Sequence, residues 1–552
     1  MSINRRTALG LIGGGGLGAI ALPARAQPAL RDARFDHGVA SGDPAADGAV
    51  LWTRASVATG AEGDVPLVWR VAPLEGGRTL RSGRVTARAA ADHTAKVVVA
   101  GLRSGTEYRY WFETAAGTRS PIGRFRTLPV GRTDRFVLAL ASCQLWPGGY
   151  FNAYADMARL PRLDAVLHLG DYIYEYGPEG YGSEIGRALG RLPDPPHETV
   201  TLADYRRRHA QVKSDPAMQA AHARAAFICV WDDHETANDA WVGGAENHTP
   251  SREGDWRARK AAALQAYFEW MPIRPPARAS DPAAIFRSFE IGELATLAML
   301  ETRLLARDEQ IAFKGEVPRP DDIAAMLRDR LRPDRELLGA AQFAWLERVM
   351  QRSVRARKPW QLLGQQVVMA RVAGPDAVAG YGAERWRAIE ARLPAGLRAR
   401  VAASQAGYRA GLPFNLDSWD GYPAARERLY AMLRRVGART VAFSGDSHAA
   451  WANDLYDASG ALVAAEFGTT AISSPSFGDV LPGLGEVIAA QNREVAWNDQ
   501  DRKGYTLVTL TPERASAEFV AMSTVTSRSY TRSVAATWRA VAGPAPTPLQ
   551  RV

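Results

Sequence analysis

Four short polar segments of the chain carry residue types that bind metal ions. The segments are 142–144, 170–174, 232–235 and 445–448. The candidate ligands in them are Cys143, Asp171, Tyr174, Asp233, Asp446 and His448. Thiolate, phenolate, imidazole and carboxylate groups all coordinate metals in proteins. Carboxylates that converge without a cation repel one another and raise one another's pKa, so these segments predict one or two multivalent cations.

Each polar segment directly follows an apolar run that is predicted to be a buried strand. These runs cover 136–141, 165–169, 226–231 and 440–444, and two similar runs cover 296–300 and 360–363. Helical patterns at 256–270, 339–352 and 424–436 lie between them. This alternation predicts an α/β layered domain. Ligands bind beyond the carboxyl ends of strands in such sheets, so we expect the four segments to converge.

The first part of the mature chain has a different pattern. Residues 35–127 contain short β-branched and aromatic runs separated by Gly, Pro and Asp, which predicts a small β-sandwich. Residues 101–108 resemble the tyrosine corner of fibronectin type III domains. A linker is predicted at 128–131. Residues 371–419 give no clear pattern and are interpreted as an insertion or a cap.

The N-terminus is typical of an export signal. Arg5 and Arg6 precede a Gly-rich apolar run that ends at Leu22, and 24–26 offer a small-residue cleavage site. This pattern predicts a twin-arginine signal peptide over 1–26 and a periplasmic or secreted protein that uses the twin-arginine export machinery. The run is too short and too rich in Gly to span a membrane comfortably, so no stable membrane insertion is expected.

The net charge and the two cysteines bear on two further questions, which are nucleic-acid binding and a disulfide bond. The net charge of +9 falls to about +6 without the leader, and no Lys/Arg block with interleaved aromatics indicates specific nucleic-acid binding. Cys229 lies inside an apolar run and is predicted to be a core residue. Cys143 lies just past a strand, where a ligand is expected. A disulfide between the two is the alternative, and it would remove the thiolate from the metal.

Several longer motifs identify a family. They are 37–44 (HGVASGDP), 51–54 (LWTR), 141–143 (ASC), 168–176 (HLGDYIYEY), 204–206 (DYR), 213–216 (KSDP), 231–235 (WDDHE), 444–448 (SGDSH) and 453–455 (NDL). With the twin-arginine leader, they resemble the alkaline phosphatase D (PhoD-like) branch of the metallophosphoesterases. The resemblance extends to about residue 505, which is nearly the whole chain.

The resemblance implies an αββα metallophosphoesterase-like catalytic sandwich preceded by a small fibronectin- or Ig-like β-sandwich. The domains expected from it are a signal peptide over 1–26, a sandwich over 27–130, a catalytic domain over 131–520 and a C-terminal extension over 521–552. Glu301 stands where the family commonly has Asp, which puts the role of that acid in doubt. Residues 468–473 match the family's late Gly/Ser/Thr-rich segment only loosely.

The resemblance also implies a centre with Fe³⁺ and Ca²⁺. Cys143, Asp171 and Tyr174 would hold the iron. Asp171 would bridge to the second metal, and Asp233, Asp446 and His448 would complete the ligand set. Thiolate and phenolate suit Fe³⁺, whereas carboxylates suit Ca²⁺. The residues expected to stabilise the phosphate charge are Arg206, His234 and Arg303.

The predicted function is that of an exported alkaline phosphatase or phosphodiesterase. A metal-bound water or hydroxide would attack the phosphorus of a mono- or diester. Two alternatives stay open. One is a phospholipase D-type diesterase, because the same centre would hydrolyse both kinds of ester. The other is a non-catalytic protein that binds a surface through its sandwich.

Overall fold

The computed structural model describes residues 32–58, 63–276, 280–312 and 319–552. The predicted signal peptide, 1–26, lies outside the described residues. The strands are β1 (Val39–Ala45), β2 (Gly48–Arg54), β3 (Val65–Pro73), β4 (Arg81–Ala87), β5 (Thr94–Val99), β6 (Glu107–Thr114), β7 (Gly123–Arg126), β8 (Phe136–Ala141), β9 (Ala165–His168), β10 (Ala226–Cys229), β11 (Arg287–Ile291), β12 (Ala295–Met299), β13 (Trp360–Gly364), β14 (Thr440–Ser444), β15 (Ala450–Tyr456), β16 (Leu462–Gly468), β17 (Val495–Asp499), β18 (Lys503–Leu510), β19 (Arg514–Met522), β20 (Arg532–Val541) and β21 (Gln550–Arg551).

The helices lie mostly between the strands of the C-terminal two-thirds. They are α1 (Asn152–Met157), α2 (Ser183–Leu189), α3 (Leu202–Lys213), α4 (Pro216–Arg224), α5 (Pro250–Glu253), α6 (Trp256–Trp270), α7 (Pro320–Arg330), α8 (Gly339–Arg355), α9 (Ala377–Tyr381), α10 (Ala383–Arg392), α11 (Ala395–Arg409), α12 (Pro423–Val436) and α13 (Leu484–Gln491). Within the described ranges, none of these helices combines the length and the apolar character that a membrane span requires.

Two large sheets form the catalytic part of the fold. The first has ten strands in the order β21-β20-β19-β18-β8-β9-β10-β1-β2-β5, and β8, β9, β10 and β1 are parallel. The second has seven strands in the order β11-β12-β13-β14-β16-β15-β17, and β12, β13, β14 and β16 are parallel. Parallel strands end at the same edge, which brings the loops that follow them together.

The alternation of side chains along the strands of the second sheet explains how the two sheets and the helices are layered. Leu362 and Val441 belong to the core that the second sheet shares with Leu138 and Val166 of the first sheet. Their neighbours Leu363 and Ala442 belong instead to a core that includes residues of α8 and α12. Successive side chains of a strand point to opposite faces, so one face packs on the other sheet and one on helices. The predicted α/β sandwich is confirmed.

The N-terminal region is a β-sandwich that shares a sheet with the catalytic part. One layer is a separate sheet in the order β4-β3-β6-β7, and its core contacts β2 and β5. The other layer is the end of the ten-stranded sheet, where β1 pairs in parallel with β10. Residues on either side of the predicted boundary at 130 therefore pair in one sheet. The predicted tyrosine corner is present, because the Arg103 backbone N–H donates to the Tyr108 hydroxyl at 2.9 Å.

The motif at 37–44 contributes to this seam between the two parts. A Cβ at Gly42 would lie 2.1 Å from the Pro272 carbonyl oxygen and 2.6 Å from that of Phe227. Asp43 accepts hydrogen bonds from the Arg287 guanidinium at 2.7 and 3.0 Å. The motif therefore fixes β1 against the catalytic layers. Residues 371–419, which had no predicted structure, form α9, α10 and α11 and the loop that follows them.

Candidate metal centre

The four polar segments meet beyond the ends of β8, β9, β10 and β14. Three groups of side chains each bring their ligand atoms within 4.8 Å of one another. The groups are Cys143, Asp171 and His448; Asp171, Asp233 and His234; and Asp232, Asp233 and Asp446. Asp171 and Asp233 each belong to two groups. The predicted ligands therefore lie together, and the arrangement suits adjacent cations that share carboxylates.

Four of the predicted ligands have an unusual backbone conformation. Cys143, Asp171, Asp446 and His448 have φ angles of 59°, 58°, 60° and 56°. Non-glycine residues seldom adopt this left-handed region, and each instance costs on the order of 1–3 kcal/mol. Such strain collects at functional sites, where the surrounding structure holds it in place. Each of these residues lies in the loop that follows a strand, namely β8, β9 or β14.

Close backbone packing fixes the two acidic segments. Gly170 has a φ of 110°, and a Cβ there would lie 2.3 Å from Cβ of Asp232. Glu235 accepts hydrogen bonds from the backbone N–H groups of Asp171, Tyr172 and Asp232 at 3.1, 2.6 and 2.7 Å. A side chain that accepts from both loops locks their relative position. Glu235 is thus a support for the ligands rather than a ligand.

Tyr174 lies against both Asp171 and His448. Its hydroxyl donates to Asp171 Oδ2 at 2.8 Å and lies 3.2 Å from His448 Nε2 and 2.8 Å from Ser474 Oγ. The other nitrogen of His448, Nδ1, lies 2.6 Å from the Pro475 carbonyl oxygen. That contact places the proton on Nδ1 and leaves Nε2 for a metal. Burial lowers the pKa of His448 to about 3, which keeps the imidazole neutral.

His234 is held by a buried carboxylate. Its Nδ1 lies 2.7 Å from Glu175 Oε2, and its ring packs on that of Tyr174 with centroids 4.2 Å apart. Burial alone would lower the pKa of His234, but the charges of Glu175, Asp233 and Asp171 outweigh it and raise the pKa well above its usual value. The contact with Glu175 therefore favours the protonated ring and leaves Nε2 as the nitrogen that faces a ligand.

Arg303 is wholly buried among carboxylates. It donates from Nε to Asp232, from Nη1 to Asp417 Oδ1 at 2.7 Å and from Nη2 to Asp446 Oδ1 at 3.1 Å. Its Nη2 also lies 3.6 Å from Asp233 Oδ1. All three nitrogens of the guanidinium are engaged in this way. Arg303 thus binds the acidic side chains rather than a phosphate.

The side chains around the buried carboxylates do not fully neutralise them. Asp171 Oδ1, Asp232 Oδ2 and Asp233 Oδ1 are buried and have no hydrogen-bond partner within the described residues. Burial, with neighbouring acids, raises the pKa of Asp171 and Asp232 well above the usual value and that of Asp446 to about 7. Orphaned buried oxygens are costly unless a cation binds them. The donor set therefore fits multivalent metal ions.

The two cysteines are free thiols with different surroundings. Cys143 Sγ lies 2.7 Å from Ser142 Oγ and within one of the ligand groups. Burial and the charge of Asp171 raise the pKa of its thiol, so a bound metal would have to displace the proton. Cys229 is buried on β10 within the core that the two large sheets share, as predicted.

Arg206 differs from expectation, and the contacts of Glu301 show what this acid does. Arg206 does not join the group: its Nε and Nη2 donate to Glu269 at 2.7 Å each, and Nη2 also donates to the Ala90 carbonyl oxygen. It joins α3 to α6 and to the N-terminal sandwich, so we correct its assignment as a phosphate ligand. Glu301 accepts from Trp231 Nε1 and from the three backbone N–H groups of 303–305. It shapes the turn that carries Arg303.

Several residues of the site were missed from the sequence. Asp232 is next to Asp233 in the sequence, and Glu175 is next to Tyr174. This adjacency to predicted ligands is the signal that could have identified them. Ser474 follows the loosely matched segment 468–473. Asp417 lies in the region without a predicted structure, and Tyr181, whose hydroxyl lies 3.2 Å from His448 Nδ1, lies in a loop. No pattern in the sequence pointed to these last two.

Comparison with known proteins decides the family. The family model described as PhoD-like phosphatase matches residues 138–519, and that of its N-terminal domain matches 21–129. The chain belongs to the PhoD-like phosphatase family. It is 34% identical over 523 residues to alkaline phosphatase D of Bacillus subtilis (strain 168), which covers 92% of this chain and 80% of that protein. A solved structure of PhoD matches with a TM-score of 0.78 at 32% identity, covering 95% of this chain and 93% of that one. The predicted family, the fold class and the class of phosphoesterase hydrolases are confirmed.

The raised pKa of Asp446 predicts how the metal-free fold depends on pH. A carboxyl group whose pKa is higher in the folded chain than in the unfolded chain destabilises the fold as pH rises between those two values. Wild-type protein in chelator should therefore lose stability relative to Asp446→Asn between pH ~4, the usual carboxyl pKa, and about 7. Thermal melting of both proteins across this range measures the difference. With metals added, the order should reverse, because Asn is a poorer ligand. A difference that does not change with pH would contradict the charge arrangement.

Proposed function

We propose that this chain is an exported, metal-dependent phosphoesterase that hydrolyses phosphate mono- or diesters. Membership of the PhoD-like phosphatase family supports the reaction class. The observation that carries the proposal is the position of Asp171, whose carboxylate belongs to two of the three buried ligand groups. A carboxylate shared in this way suits a bridge between two cations, which is the usual arrangement for phosphoryl transfer with two metals.

The donor set favours two different cations. Cys143, Asp171 and Tyr174, with His448 beside them, combine thiolate, phenolate and imidazole, which suit Fe³⁺. Asp171, Asp233 and Asp446, with Asp232, offer only carboxylates, which suit Ca²⁺. When bound, such cations would neutralise the phosphate and lower the pKa of a nearby water.

The protein's own residues would orient the substrate and stabilise its negative charge. His234, held as an imidazolium by Glu175, would donate from Nε2 to a phosphate oxygen or to the leaving oxygen. Arg303 would position Asp233 and Asp446 and so act through them. Tyr176, whose ring lies 5.3 Å from that of His234, would shield the imidazolium from water.

Export is proposed from the leader, for which Arg5 and Arg6 are the observation. The destination would be the periplasm or the medium. Replacing both residues, Arg5→Lys with Arg6→Lys, should leave the precursor in the cytoplasm, because the pair is the feature that the export machinery recognises. Cell fractionation with immunoblotting measures this. Normal export of the double variant would exclude the twin-arginine route.

Activity should depend on metal and on Asp171. Chelation should abolish hydrolysis of phosphate mono- and diesters, and Ca²⁺ with iron should restore it better than Mg²⁺. Asp171→Asn should lower kcat at least about a thousandfold, because the ligand that bridges both cations is removed. Asp134→Asn is the control, since this carboxylate is exposed and, among the residues that the structure describes, pairs only with Arg132. Full activity in protein shown to be free of metal would refute the proposal.

A coloured protein is the expected signature of the iron. A phenolate or thiolate on Fe³⁺ gives a visible ligand-to-metal absorption band. Tyr174→Phe and Cys143→Ala should each shift or bleach that band and lower activity. Cys229→Ala is the matched control, because its thiol is buried on β10 away from the ligand groups, and it should leave the band unchanged. Colourless, iron-free protein with full activity would count against Fe³⁺.

A further inference from the structure

A cavity of about 250 Å³ is lined in part by two residues that contact the residues of the candidate metal centre. Two acidic residues, Asp239 and Asp417, form the part of its lining nearest the ligands. The rest is mainly apolar, and its larger side chains are Ile311, Met326, Tyr408, Leu412, Phe414 and Leu416. Most of these residues come from α11 and the loop after it, which is the region whose sequence predicted no structure.

Two short connections tie this cavity to the centre. The Asp239 backbone N–H donates to Asp233 Oδ2 at 2.5 Å. Asp417 accepts from Arg303, whose next nitrogen donates to Asp446. Each connection is one or two contacts long. The two acidic residues of the cavity lining are therefore only one or two contacts away from the predicted ligands Asp233 and Asp446.

The apolar side chains that line the cavity, here called the apolar wall, are packed against one another. Met326 and Leu412 form a buried cluster, and Ile311, Tyr408 and Leu416 pack against it. The rings of Tyr408 and Phe414 lie 6.3 Å apart, and the Tyr408 hydroxyl donates to the Phe414 carbonyl oxygen at 3.3 Å.

Backbone contacts hold the loop itself. The Phe414 backbone N–H donates to the Val372 carbonyl oxygen at 2.8 Å, and that of Asp417 donates to Asn415 Oδ1 at 2.8 Å. These contacts help to hold the loop in place.

An exposed aromatic residue extends the wall toward the other side of the centre. Phe477 packs edge-on against Phe414, with ring centroids 5.7 Å apart, although half of its surface faces solvent. Its loop also contains Pro475, whose carbonyl oxygen contacts His448. Tyr181, another exposed aromatic, stacks on His448 with centroids 5.9 Å apart. An apolar rim thus faces both sides of the ligands.

We propose that this cavity is the subsite for the alcohol arm of the substrate, and that it selects a compact apolar arm the size of a phenyl ring. The inference rests on the proposed phosphoesterase function. A dry apolar cavity of about 150 Å³ holds benzene, so about 250 Å³ holds one ring with a short substituent. The two acyl chains of a membrane lipid do not fit this volume. The cavity therefore favours compact aryl esters over phospholipids.

Matched pairs of ligands test the subsite. Phenyl phosphate and methyl phosphate differ only in the arm, and phenylphosphonate and methylphosphonate are their non-hydrolysable counterparts. Phe414→Ala should lower kcat/KM for the phenyl ester and the affinity for phenylphosphonate by roughly tenfold, because a ring-sized contact is lost. Values for the methyl compounds should stay unchanged. Ser404→Phe, which fills the cavity from α11, should give the same selective loss. Phe286→Ala is the control, since this ring packs on Trp345 and lines no part of the cavity.

The possible outcomes distinguish a failure of the proposed subsite from a failure of the proposed reaction. A wild-type protein that binds both phosphonates equally, or variants that keep the wild-type preference for phenylphosphonate over methylphosphonate, would overturn the proposal. Calorimetry of the phosphonates gives the binding result even if no ester is hydrolysed. In that case a phenyl preference lost in Ser404→Phe would support the subsite while the proposed reaction fails. A preference for a diacyl phospholipid over phenyl phosphate would also overturn it.

Discussion

The buried guanidinium of Arg303 balances the acidic loops, and the site depends on that balance. It lies among Asp232, Asp233, Asp417 and Asp446. A charge removed from water is costly unless opposite charges surround it, so Arg303 and the acids stabilise one another. One guanidinium and the imidazolium of His234 do not neutralise this many carboxylates. The orphaned oxygens of Asp171, Asp232 and Asp233 mark where positive charge is still required. Multivalent cations, as proposed, would supply that charge.

The scaffold serves to hold mutually repulsive side chains in strained positions. Parallel strands end at one edge and deliver the loops to it. Glu235 clamps two of the loops by their backbone N–H groups, and Glu301 forms the turn that carries Arg303. Both are buried acids that act on the backbone and not on the substrate.

Local patterns predicted the parts of the structure that depend on local physics. The run at 136–141 is β8, the helical pattern at 256–270 is α6, and the Tyr108 corner closes as its spacing indicates. The convergence of the predicted ligands could be foreseen because they follow strands that end at one edge. Long-range pairing was not predictable, so the sequence did not indicate that β1 would join β10 in the catalytic sheet. For the same reason Arg206, which has a partner 63 residues away in Glu269, was mistaken for a phosphate ligand. Asp417 escaped notice because a loop after α11 brings it to Arg303.

Elemental analysis of the purified protein tests the central claim most directly. Wild-type protein prepared without chelator and Asp171→Asn would be compared by inductively coupled plasma mass spectrometry, with circular dichroism to verify folding. We expect more than one metal ion per wild-type chain and the loss of this metal in Asp171→Asn, because Asp171 belongs to two ligand groups. A folded variant that keeps the full wild-type metal content, or an active wild-type protein without metal, would contradict it.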